Sequence, residues 1–260
     1  MASIGLRMIP LLETIAPVSA PFLRAEWRNL ALLTWPIDAN VLAPRVPAGT
    51  ELDLWDGRAL VSAVGFRFLR ARLLGVGVPG HRDFEEVNLR FYVRRRTLEG
   101  WRRGVVFIQE IVPLRAVAWA ARTLYGEQYV AWPMTHRLEP DPDGRVRRAT
   151  YGWVRDGACE RLDVVAPAAP LPVRAGSLDA FVVEREWGYT QQMDGGTLEY
   201  RVEHPAWRVA PAESATLQCN PTALWGPDLA PAFRNPPLHA LLADGSPVAV
   251  FRGKKLEFGV

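Results

Sequence analysis

The sequence predicts a mainly β, α+β fold: an antiparallel β-barrel or sandwich carrying a few short helices. Two observations carry this reading. Strand-like runs recur at short spacing from residue 22 onward, parted by turn signals such as Asp56-Gly57, Asp141-Pro-Asp-Gly144 and Asp194-Gly195-Gly196. Only one segment, Pro113 to Gly126, has sustained helical spacing of its apolar residues. A third observation bounds the size: 260 residues, 49% of them hydrophobic, suffice for one large core. No run approaches the ~18 apolar residues of a membrane span.

The elements follow in order. The first twenty residues read as an N-terminal arm, and residues 21–260 as one domain. The arm has a basic residue, an apolar patch and a small-residue ending, but Glu13 interrupts the patch, which argues against a cleaved signal. Phe22 to Trp35 is a strand, and Asp38 caps a short helix to Ala43 that Pro44 and Pro47 stop. Leu52–Trp55 and Arg58–Phe68 flank Asp56-Gly57 as a hairpin, with Leu60, Val64, Phe66 and Phe68 on one face. Arg70 to Arg82, rich in Gly and Leu, reads as a loop across a pocket mouth. It has no phosphate-cradle spacing.

Glu86 to Val93 alternates strictly, with Val87, Leu89, Phe91 and Val93 on one side and Glu86, Asn88, Arg90 and Tyr92 on the other. In an ordinary antiparallel sheet the polar side faces water, and this is the expected arrangement. In a closed barrel the same side lines the lumen, where Arg90 could hold a carboxylate through its planar fork. Gly104–Val112 is a strand, Pro113 opens a helix with Leu114, Val117, Ala118, Ala121 and Tyr125 on one stripe, and Gly126 closes it. Gln128–Leu138 and Arg145–Arg155 are strands. Pro167–Pro172 resembles a linker by composition but equally suits a chain crossing the outside of a barrel, and Ser177 caps a helix to Val183. Trp187–Met193 and Thr197–His204 form the clearest hairpin, and two paired strands around Gly253 close the chain.

Composition excludes some functions. A net charge of +3 is too small to announce nucleic-acid binding. Arg94, Arg95, Arg96, Arg102 and Arg103 flank a loop tip with Trp101, which reads first as a solvated surface and second as an interaction tip. Neither nucleic acid nor membrane is expected as a partner, and the oligomeric state is left open. Cys159 and Cys219 lack CxxC spacing, in keeping with a reducing cytoplasm. His81, His136, His204 and His239 show no metal-ligand spacing, so neither metal nor cofactor is expected. No GxSxG elbow is present.

Three stretches resemble a known family: EWRNLALLTWPIDANVLAPRVP, FEEVNLRFYV, and the SLDAF–VER–YT–G–L–EHPAW run from Ser177 to Trp207. Together they resemble the YqjF-like proteins, domain-of-unknown-function family 2071, over roughly residues 20–215. That resemblance implies the β-barrel or cone of the acetoacetate decarboxylase-like superfamily, with a central cavity. In those decarboxylases a cavity-facing glutamate, which Glu86 resembles, is followed by a lysine that forms a Schiff base. At the corresponding place this chain has Tyr129, and a phenol cannot form an imine. The only lysines, Lys254 and Lys255, read as an exposed pair. The resemblance also places His204 in a motif, and histidine titrates near neutrality.

The function expected first is a barrel that binds a small organic acid, with Arg90, Asn88, Tyr92 and Tyr129 as ligand contacts. Two alternatives are a lysine-independent enzyme using Glu86 or His204 as acid or base, and an interaction module using the Arg-rich tip.

Overall fold

A computed structural model describes residues 20–257. The arm and the signal-like features at residues 1–19 lie outside the described residues. In chain order the first strands are β1 (Leu23–Ile37), β2 (Glu51–Leu52), β3 (Ala59–Leu73), β4 (Phe84–Thr97), β5 (Gly100–Val112), β6 (Tyr129–Ala131), β7 (Met134–Pro140) and β8 (Val146–Arg155). They are followed by β9 (Ala158–Val165), β10 (Leu171–Pro172), β11 (Trp187–Gln191), β12 (Thr197–Glu203), β13 (Arg208–Pro211), β14 (Ser214–Gln218), β15 (His239–Val250) and β16 (Lys254–Lys255). The α-helices are α1 (Ala39–Leu42), α2 (Arg115–Tyr125), α3 (Leu178–Val183) and α4 (Pro221–Trp225).

The main sheet closes on itself. Its path runs β15-β1-β3-β4-β5-β11-β12, and β12 returns to β15 through Val202↔Val250 and Glu203↔Ala249, a circuit of seven strands. Closure leaves an inside, which an open sheet lacks. Two seams of the circuit are thin, each of two residue pairs: the β12–β15 return and the parallel β5–β11 contact, Trp187↔Gly104 and Gly188↔Val105. A second sheet, β14-β9-β8-β7, lies over the outside of β1 and β3. There Tyr151 packs where a Cβ on Gly65 would stand, and its hydroxyl donates to the Asn29 carbonyl at 2.8 Å.

This second layer explains β4. Val87, Leu89, Phe91 and Val93 join Tyr151, Trp153, Leu162 and Val164 in the core between the sheets. The alternate residues Glu86, Asn88, Arg90 and Tyr92 point inward and are all buried. The expected solvent-facing arrangement of that polar side is therefore corrected: with an apolar layer covering the outer face, the polar face has only the lumen.

The helix signals hold. Asp38 Oδ1 accepts from Asn40 N at 2.9 Å, Ser177 Oγ accepts from Ala180 N at 3.2 Å, and Gly126 ends α2 at φ 71°, a left-handed conformation that suits glycine. Of the expected α2 stripe only Ala118 is fully buried, because Val117, Ala121 and Tyr125 face a cavity rather than a solid core.

Four pairings differ from expectation. Residues 128–138 form two strands, β6 beside β5 and β7 in the second sheet, parted at Trp132-Pro133, where Pro133 cannot donate to a ladder. Asp56-Gly57 does turn tightly, with Trp55 and Arg58 exchanging two 2.9 Å backbone bonds, but β2 pairs β4 rather than β3. The Pro-rich segment 167–172 crosses the outside and adds β10 to the edge of the main sheet, against β13. At the C-terminus β15 pairs β1 and β16 pairs β12, so the two closing strands do not pair each other.

Candidate functional site

Inside the closed sheet lies a cavity of about 400 Å³. The register builds its polar wall. Val64 of β3 stands beside Asn88 of β4, Asn88 beside Glu110 of β5, and Glu110 beside Tyr129 of β6, a row across four strands. Glu86 joins the row from two residues back on β4. Asn88 Nδ2 donates to Glu86 Oε1 at 3.0 Å, and Tyr129 donates its phenolic proton to Glu86 Oε2, also at 3.0 Å. Glu127, just after the α2 cap, accepts on Oε1 from Thr190 Oγ1 at 2.5 Å and from the Tyr200 hydroxyl at 2.9 Å. Tyr200 reaches it because its ring lies on Gly188, where any Cβ would collide with it.

Three buried carboxyl groups thus share one wall. Burial, opposed by the bonds from Asn88 and Tyr129 and by the more distant charge of Arg90, pushes Glu86 up to about 7. Burial, again the largest cause and opposed by Thr190 and Tyr200, pushes Glu127 up to about 7. Glu110 is raised well above the usual carboxylate range by burial and by the charges of Glu127 and Glu86. The same burial and carboxylates drive the Tyr129 and Tyr200 phenols well above their ordinary value. Each of these carboxyl groups therefore keeps its proton to a higher pH than an ordinary carboxyl does. Among the described residues no group of three or more His, Cys, Asp or Glu side chains has the arrangement of a metal site.

Arg90 has a different environment. It is 7% exposed, its Nη2 donates to the Val182 carbonyl at 2.9 Å, and its Nε has no hydrogen-bond partner. Among the described residues no carboxylate lies within 4.0 Å of it. Arg185 also lines the cavity. Its Nη1 pairs with Asp53 at 2.5 Å and its Nε donates to the Phe181 carbonyl at 2.6 Å, while Nη2 has no partner. Both guanidinium carbons approach the Tyr92 ring, at 6.0 and 4.8 Å from its centroid. Unpartnered buried polar atoms gather on this one cavity: Arg90 Nε, Arg185 Nη2, Asn88 Oδ1, Glu110 Oε2 and Trp27 Nε1. Such atoms cost about 1–3 kcal/mol each unless something satisfies them.

The residues singled out from sequence divide accordingly. Glu86, Asn88, Arg90, Tyr129 and His204 come together around the cavity. Tyr92 does not line it; its hydroxyl is spent on Ser62 Oγ at 2.6 Å, which in turn meets Thr34 Oγ1 at 2.7 Å. His204 sits just past the end of β12 with its ring stacked on Trp207, centroids 4.3 Å apart, and burial lowers its proton affinity. Lys254 and Lys255 are exposed on the edge strand β16, Lys255 pairing with Asp194 at 2.6 Å. The Arg-rich tip is internally paired: Arg94 with Glu51, Arg95 and Arg102 with Glu199, and Arg103 with Asp53. Arg94 and Arg96 also approach the Trp101 ring.

Sequence reasoning missed Glu110, Glu127, Tyr200 and Arg185. A lone carboxylate inside the apolar run VVFIQEIV was the available signal for Glu110, and Arg185 lies within the VER element of the family-like run. Glu127 and Tyr200 gave none, since a turn glutamate and a strand tyrosine are ordinary. A second cavity lies behind the weak β5–β11 seam, and Phe107 and Glu127 line both.

The family profile DUF2071, described as "Uncharacterized conserved protein", matches residues 24–247. The chain belongs to the DUF2071 family. It is 31% identical over 196 residues to "Uncharacterized protein YqjF" of Bacillus subtilis, covering 74% of this chain and 76% of that protein. Among solved structures it is similar to acetoacetate decarboxylase from Legionella pneumophila, with a TM-score of 0.65, 12% identity, and 99% and 98% of the two chains covered. An acetoacetate decarboxylase-like enzyme from Sphingomonas wittichii gives 0.62 at 14% identity over 94% and 98%. The enduracididine biosynthesis enzyme MppR, solved with pyruvate, gives 0.62 at 11% over 94% and 93%. At these identities the likeness shows the fold alone, and the fold is acetoacetate decarboxylase-like. Among the described residues no helix is long and apolar enough to cross a membrane.

Proposed function

We propose that this DUF2071 protein binds a small organic acid inside the barrel, with the ligand carboxylate on Arg90. The observation that carries the reading is the Arg90 guanidinium: buried, facing the cavity, and without a carboxylate partner among the described residues. A buried cation normally has a counter-charge, and a ligand carboxylate supplies one. Arg185 Nη2 offers a further donor, and protonated Glu110 could donate to a second ligand oxygen. One fold neighbour was solved with pyruvate, a small keto acid.

The test is a thermal-shift panel of carboxylic and keto acids. Ligand at ~100 times its dissociation constant adds about 2.7 kcal/mol, roughly 5–10 °C for a chain of this size. Shifts with acids and none with the matching primary amides are expected. A cooperative melt that no acid moves would end the reading.

A second reading, acid–base catalysis in the same cavity, is favoured by one observation. Glu86 is raised to about 7 beside a phenol, which suits proton transfer at neutral pH. This chemistry needs no lysine. Turnover of any bound acid or carbonyl compound is expected to fall at least 100-fold in Glu86→Gln, and to follow a group titrating near 7 in the wild type. Undiminished turnover in that variant would remove Glu86 as the acid or base.

A further inference from the structure

The polar groups occupy only part of the cavity. Most of the remaining surface is aromatic or aliphatic, and tightly built: Phe68 stacks on Phe84 with centroids 4.7 Å apart, and Trp27 meets Phe66 edge-on at 5.4 Å. The opposite side is roofed by α2 through Val117, Ala121 and Leu124. The apolar lining does not stop at the interior. Leu73 at the end of β3, Val76 and Val78 of the loop after it, and Leu124 of α2 line the cavity while remaining 39%, 66%, 46% and 58% exposed. An apolar strip thus continues from the buried wall to the mouth.

A two- to four-carbon acid would satisfy Arg90 and leave this wall uncovered. The volume of about 400 Å³ holds on the order of a dozen water-sized groups, at ~30 Å³ each. Resting on the acid-binding reading, we infer that the ligand is an amphiphilic monocarboxylic acid, its carboxylate at Arg90 and an aryl or hydrocarbon body of about eight to twelve carbons along Phe66, Phe68, Phe84 and α2 toward the Leu73–Val78 loop. The polar wall fits this ligand too. Burial raises the proton affinity of Glu110, Glu86 and Glu127, so they repel a carboxylate less than three ordinary carboxylate anions would.

The test is a titration of the full-length protein, by calorimetry, with straight-chain acids from acetate to dodecanoate, with 4-phenylbutyrate, and with primary alcohols of the same lengths, all below their micelle concentrations. Each CH₂ that becomes buried should tighten binding about fourfold, with a plateau once the chain reaches the mouth. Alcohols should bind at least tenfold more weakly than acids of equal length. Ala121→Phe, which narrows the roof, should move the plateau to shorter chains. Tightest binding by acetate or other two- to four-carbon acids, or affinity that ignores chain length, would overturn the inference while sparing the acid-binding reading. Alcohols binding as tightly as acids, or no acid of any length binding, would overturn both.

Discussion

Arg90→Met should raise the stability of the unliganded protein and abolish acid binding. Among the described residues the buried guanidinium has one hydrogen bond, to the Val182 carbonyl, and only a longer-range attraction to Glu86, so part of its desolvation goes without compensation. Methionine has a similar reach, no charge, and the flexibility to fill the space. Replacing uncompensated buried charge with an apolar side chain of similar volume often stabilises by about 1–4 kcal/mol. The lost bond to Val182 returns about 1 kcal/mol of that gain. A urea titration should therefore place the variant about 0–3 kcal/mol above the wild type, while the dissociation constant for any bound acid rises at least 100-fold, the scale expected for a buried hydrogen-bonded charge pair. A variant that is both less stable and unchanged in acid affinity would mean that Arg90 is a structural residue.

The second large effect is on pH. Glu86, Glu110 and Glu127 all have folded-state proton affinities above their ordinary value of 4.5. Between pH 4.5 and their folded values, the native state holds more protons than the unfolded chain, so stability must fall as pH rises through that window. For Glu86 alone, displacement from 4.5 to about 7 corresponds to roughly 3 kcal/mol. Carboxylates lowered by arginine or lysine partners, such as Glu26 beside Arg28 and Asp194 beside Lys255, work in the opposite direction but in a lower window, losing stability only as pH drops below about 4. His204, whose proton affinity burial lowers, opposes the decline below its ordinary value of 6.5, but it is one group against three carboxyls, so maximum stability is expected on the acid side of neutrality. Unfolding midpoints measured from pH 4.5 to 8 should decline in the wild type, and Glu110→Gln should flatten the decline and melt higher than the wild type at pH 8. A wild-type curve that rises toward pH 8 would show that these carboxyl groups are ionised at no cost.

How far these features were legible in the sequence can be traced to particular residues. The turns, the caps at Asp38, Ser177 and Gly126, and most strands are local, and local chemistry specified them. The inward face of β4 was readable as a set, Glu86-Asn88-Arg90-Tyr92, because strand periodicity is local too. Its direction was not. Whether that face meets water or a lumen depends on β12 returning to β15 and on the second sheet covering β1 and β3, both contacts between residues distant in sequence. The same limit hid Glu127 and Tyr200, whose importance comes from meeting each other over Gly188. Tyr92 shows the converse: it shares the inward face, yet Ser62 on the neighbouring strand takes its hydroxyl away from the cavity.

The family resemblance drew attention to Tyr129, and the structure gives that tyrosine a hydrogen bond to Glu86. Among the described residues no lysine lines this cavity, and both lysines lie on the exposed edge strand. What the cavity retains is non-covalent: a buried cation, a wall of buried carboxyl groups and an apolar lining.

The most direct test of this account is a crystal structure with the acid that gives the largest thermal shift. The account predicts the ligand carboxylate inside the closed sheet, within about 3 Å of Arg90 Nε. A carboxylate bound instead at the surface arginines near Trp101, with Arg90 still bonded only to Val182, would contradict it.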